Sequence, residues 1–126
     1  MPALNRVQLI GYLGKDPESR FTPTGKQVTH FSLAVTQRWK AAGETKEYTD
    51  WIYVDAWGRL GEICSQYLHK GSLAFVEGRL HVERYEDKGE VRYSTKVVAL
   101  QVQMLDRKSS EEPMMTVEEE ALEYEA

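Results

Sequence analysis

Alternation of apolar and polar residues runs through most of this chain, and a period of two commits it to strands rather than helices. Val7, Leu9, Gly11 and Leu13 alternate with Arg6, Gln8, Ile10 and Tyr12. Further on, Phe31, Leu33 and Val35 share one parity, and His30, Ser32 and Ala34 the other. The same pattern predicts a third strand over residues 49–57, a fourth over 73–85 and a fifth over 91–105. One stretch breaks the rule. Leu60, Ile63, Cys64, Tyr67 and Leu68 fall at helical spacing and make a single apolar stripe. His69 and Lys70 suit the last turn of that helix, and Gly71 the position just past its end.

The connections fit this order. Thr22-Pro23-Thr24-Gly25 reads as a turn joining an extended piece at about 18–22 to the second strand. Residues 41–46 and 86–90 read as hairpin loops before the third and fifth strands. Five strands with one helix between the third and fourth is the element order of an all-β OB-fold, a five-stranded Greek-key barrel. An open α+β sandwich has compatible elements but does not explain why so many strands alternate. The barrel is the expected fold, over a domain of residues 1–106.

Charge divides the chain where the pattern ends. Of the 126 residues, 1–106 carry 14 Lys+Arg against 13 Asp+Glu, whereas 107–126 carry 2 against 7. The formal net charge of −4 therefore belongs to the end of the sequence. Residues 107–126 read as a short acidic tail, disordered apart from a marginal helix over 117–125 behind the capping box Thr116-Val117-Glu118-Glu119.

The sharpest functional signal lies on the third strand. If Ile52, Val54 and Ala56 face the interior, then Trp51, Tyr53 and Trp57 point the other way, together with Asp55. Rings opposite a core face either pack against another element or subunit, or form a platform on which bases stack. Trp39 lies between Arg38 and Lys40, and Tyr85 follows Arg84 shortly before Lys88. An aromatic beside cations at a strand end suits a base flanked by phosphates. The remaining cations are spread along the chain, so only the fold can gather them into a groove.

These residues resemble a known family. Across residues 4–106 the chain is similar to the bacterial single-stranded DNA-binding (SSB) family, through Asn5-Arg6-Val7 with the run from Gly11 to Glu18, the run from Trp51 to Gly58, and Tyr67-Leu68-His69-Lys70-Gly71-Ser72. Val76-Glu77-Gly78-Arg79-Leu80 and Gln103-Met104-Leu105 complete the resemblance. It implies an OB-fold, a homotetramer or equivalent assembly of four barrels, and sequence-tolerant wrapping of single-stranded DNA during replication, recombination and repair. Trp39, Trp51, Trp57 and Tyr85 fall where the family stacks bases, with Trp57 replacing its usual Phe and Tyr85 a frequent Trp. The expected phosphate ligands are Arg6, Arg20, Arg38, Lys40, Arg59, Lys70, Arg84 and Lys88, of which the resemblance carries over Arg6, Arg20, Arg59, Lys70 and Arg84. His81 and Glu83 stand where relatives often have cations. The family's tail recruits replication and repair proteins through an acidic stretch ending in Pro-Phe. Here Glu118, Glu119, Glu120, Leu122, Glu123, Tyr124 and Glu125 keep the acidity without that pair.

Catalytic readings fail on residue type and spacing. Gly25-Lys26 lacks the glycine and the Ser/Thr of a phosphate-binding loop, since Arg20 and Gln27 stand in those places. The lone Cys64 sits on the helix stripe as a core residue, and three scattered histidines give no ligand set. No enzyme activity, cofactor or metal is expected. With no apolar run of spanning length and no signal-like start, a cytoplasmic, nucleoid-associated protein without membrane contact is expected. Two other classes share these elements: an OB-fold adaptor of a primosome or recombination complex, and a cold-shock-type RNA chaperone.

Overall fold

A computed structural model describes residues 2–106. The chain runs β1 (Val7–Leu13), β2 (Glu18–Phe21), β3 (Gln27–Ala41), β4 (Glu44–Trp57), α1 (Gly58–Tyr67), β5 (Leu73–Asp87) and β6 (Glu90–Met104). The extended piece near residue 18 is thus a strand in its own right. The expected second to fifth strands are β3 to β6, and the helix lies between β4 and β5. The tail and its expected helix over 117–125 lie outside the described residues.

Alternation becomes curvature through pairing. The sheet order is β1-β5-β6-β4-β3-β2, and a further pairing of β1 with β3 closes the first five into a barrel. Closure is short, at Tyr12↔Ala34 and Leu13↔Leu33, and β2 extends β3 at its edge. The contact of β4 with β6 is parallel, at Val54↔Val97 and Asp55↔Val98, so the chain crosses over between them instead of returning by a hairpin. Inside sit Leu13, Phe31, Leu33, Val54, Ala74, Val76, Val97 and Val102, while Leu60, Ile63 and Cys64 of α1 plug one end. Burying each larger aliphatic side chain contributes roughly 1.5–3 kcal/mol. The Thr29 hydroxyl, fully buried, donates to the Gly61 carbonyl at 2.7 Å and ties β3 to the helix. Burial pushes the Cys64 thiol up to about 12, consistent with its place in the core.

Two expectations need correction. The helix stops at Tyr67, because Leu68 turns into extended backbone (φ −89, ψ 147) and buries its side chain. His69 and Lys70 therefore lie in the following turn, not in the last helical turn, and Gly71 donates its N–H to the Leu13 carbonyl at 2.9 Å. Tyr67, expected on the buried stripe, is half exposed. The hairpin loops are also tighter than expected. Each shrinks to two residues with positive φ, Ala42-Gly43 and Lys88-Gly89, the geometry that matches the twist of flanking strands. The strands consequently run on as two-stranded arms, and residues 82–95 are exposed throughout.

Candidate nucleic-acid interface

The outward side of β4 carries a row of uncovered rings. Trp51 is 57% exposed, Tyr53 65% and Trp57 42%, while Val54 and Ala56 of the opposite parity are fully buried. Register explains why the rings stay open. Trp51 lies across from Ala34 and Tyr53 from Ser32, neighbours too small to cover an aromatic face. On the far side of Ala34 stands Tyr12, itself exposed. The Trp51 ring rests over Gly14, where an added Cβ would run into its six-membered ring.

Beside this row lies an open groove of about 660 Å³, walled by Gly14, Lys15, Asp16, Glu18, Arg20, His30, Ser32, Trp51, Tyr53 and Lys96. Its floor is polar, and its charged groups pair with one another. Asp55, nearly buried between Tyr53 and Trp57 on the same parity, lies 2.5 Å from His30 Nδ1 and 2.7 Å from Lys96 Nζ. Lys96 also reaches Glu83 at 3.4 Å, and His81 Nε2 lies 3.3 Å from Glu83. The hydrogen bond it donates to Asp55 raises the Lys96 ammonium above its ordinary value; partial burial opposes this, and Glu83 adds to it.

The expected site residues divide. Trp51 and Trp57 share the row, and Tyr85 lies across from Arg92 on the outward parity of β5, the same side as His81 and Glu83. Trp39 does not join them. Its register, unbroken from Val28↔Trp57 to Ala41↔Glu44, puts it on the reverse face of the β3–β4 arm, and Arg84 is likewise on the opposite face from Tyr85. Arg38 and Lys40 do share the Trp51 parity. Arg20 borders the groove, and Lys70 lies close to it, its backbone N–H donating to Asp16 at 2.8 Å. Arg6, just before β1, stands apart, about 20 Å along the extended chain from Tyr12.

Ion pairing divides the cations again. Arg6 pairs with Glu77, Arg20 with Glu18, Arg38 with Glu47 and Arg59 with Glu62. Among the described residues, Lys40, Lys70, Arg84 and Lys88 take part in no ion pair. Exposed Tyr48 and Tyr93 on the arms, and Tyr12, His30, Arg79 and Lys96 on the ring side, were absent from the expected site. Outward parity alone marks Tyr12 and Arg79. The role of Lys96 needs the parallel β4–β6 contact, which no local pattern announces.

The barrel, the helix between β4 and β5 and the aromatic outer face define an oligonucleotide-binding fold. Residues 4–105 match the single-strand binding protein family. The single-stranded DNA-binding protein 1 of Chlorobaculum tepidum is 44% identical over 110 residues, spanning 85% of this chain and 68% of that protein. A solved structure of Plasmodium falciparum SSB in complex with ssDNA superposes with a TM-score of 0.79 at 27% identity, covering 84% of this chain and 98% of the other. The chain belongs to the single-strand binding protein family.

Proposed function

We propose that this protein coats exposed single-stranded DNA, without strong sequence preference, by stacking bases on the outer rings of β4. The observation that carries the reading is the exposed row Trp51, Tyr53 and Trp57, in which Trp51 and Tyr53 stay uncovered because their cross-strand neighbours Ala34 and Ser32 are small. Every base has a π-face, so stacking is sequence-tolerant, at roughly 1–3 kcal/mol per base. Tyr85 extends the same side along the second arm, and Trp39 serves a strand passing behind the first. Lys40, Lys70, Arg84 and Lys88 meet phosphates directly, whereas Arg6, Arg20, Arg38 and Arg59 must first part from their carboxylates.

The β1–β5 surface supplies the assembly. Ile10, exposed across from Phe75, and Leu100, the extra residue of a bulge beside Gly78, make an apolar face suited to a second copy of the chain. A homotetramer built this way wraps one strand over several barrels, each raising the effective concentration of the strand for the next. The role is binding rather than catalysis, in the cytoplasm beside the chromosome, where replication, recombination and repair expose single strands. The acidic run from Glu118 to Glu125 then serves as the contact for replication and repair proteins. No helix among the described residues is long and apolar enough to cross a membrane, and no cluster of His, Cys, Asp and Glu among them could hold a metal ion.

Tryptophan fluorescence tests the reading. Poly(dT) should quench it at low salt, with affinity falling as salt rises. Unchanged fluorescence together with no gel shift on a long oligonucleotide overturns it.

A further inference from the structure

Asp55 sits where a DNA-binding surface has least use for a carboxylate, on the outward parity of β4 between two exposed rings. An anion there would repel a phosphate backbone unless its charge were cancelled within the protein. It is cancelled. Lys96 lies 2.7 Å from one carboxylate oxygen and His30 2.5 Å from the other. The Asp55 side chain is only 5% exposed, so this charge-assisted bond is formed largely out of water. Lys96 reaches a second carboxylate, Glu83, at 3.4 Å. One ammonium is thus shared by two anions inside the wall of the groove. A phosphate in open solvent offers it a weaker, more screened partner than Asp55 does.

The geometry points to Asp55 as a positioning residue that withholds Lys96 from the phosphate backbone, so that the centre of the interface holds its strand by rings and leaves phosphate contacts to the arms and the rim. This rests on the single-strand reading above and sharpens it. A cation already neutralised inside the protein displaces no counterion from DNA and adds nothing to the salt dependence of binding. Freed, it would add one phosphate contact.

The test is a cycle of variants in the full chain, using a fluorescently labelled oligo(dT) and binding anisotropy over a salt titration. Asp55→Asn keeps the shape of the side chain and removes its charge. It should steepen the slope of log affinity against log salt by about 0.7 for each protomer engaged. Lys96→Met is then added to it, because Lys96→Met alone would leave the Asp55 carboxylate uncancelled. The double variant should return to the wild-type slope. Glu83→Gln provides a second route, since that side chain is half exposed and outside the core. It should steepen the slope less, and only while Lys96 is present. The proposal is overturned if the double variant has a shallower slope than wild type, as it would were Lys96 already on a phosphate, or if the steepening from Asp55→Asn or Glu83→Gln survives the loss of Lys96. Failure of the wild-type chain to bind oligo(dT) at low salt would instead overturn the single-strand reading itself.

Discussion

Two parts of the barrel's outer surface expose apolar side chains, and they do so in different ways. On the β4 side the exposed groups are rings, beside an internally paired polar chain running from His30 through Asp55, Lys96 and Glu83 to His81. On the β1–β5 side they are Ile10 and Leu100, with the Arg6–Glu77 ion pair at 3.0 Å the main charge feature. A flat ring with an open face suits a flat base, whereas branched aliphatics suit a matching surface of the same kind. The same alternation makes both, because an outward parity on a closed barrel is free to serve whatever approaches that side.

Substitutions can separate the two faces. The largest effect is expected from Ile10→Asp, which places a charge in the centre of the aliphatic face. Light scattering should show the oligomer reduced to smaller species, with each released barrel still quenched by a short oligo(dT). An unchanged mass would remove that face from the assembly. Trp51→Ala should do the converse. The mass stays the same, and affinity for labelled oligo(dT) falls about 10- to 100-fold, the loss of one stacked base.

Gly14→Ala probes the same ring from below. The added methyl must displace the Trp51 ring, so binding should weaken by less than in Trp51→Ala, with the oligomer intact. Equal affinity for this variant and wild type would mean that the ring's position over Gly14 does not matter. The smallest effect is at the rim. Lys70→Gln should reduce the salt slope by about 0.7 with a modest loss of affinity. Loss of binding at every salt concentration would assign Lys70 more than a phosphate contact.

The difference between the faces was partly legible in the sequence. Parity is local, so Trp51, Tyr53 and Trp57 could be set against Val54 and Ala56 from the strand alone, and the helix declared itself through Leu60, Ile63 and Cys64. The tight arm tips could not be read, because Ala42 and Lys88 are not residues that favour positive φ. Loops were therefore expected where strands continue, and the unbroken pairing that turns Trp39 to the reverse face was hidden with them. The helix end was misplaced because basic residues suit a last turn, yet Leu68 had to leave the helix to be buried. The Asp55–Lys96 bond was out of reach for another reason. It crosses a parallel contact between strands far apart in sequence, and neither residue has an unusual neighbour in the chain.

The central claim is that rings, more than charge, hold the strand on this nearly neutral barrel. Competition between oligo(dT) and an abasic phosphodiester strand of equal length tests it most directly, since the second keeps every phosphate and offers nothing to stack. The abasic strand should bind at least about 100-fold more weakly at moderate salt, the loss of two or more stacked bases. Equal affinity for the two strands would contradict the account.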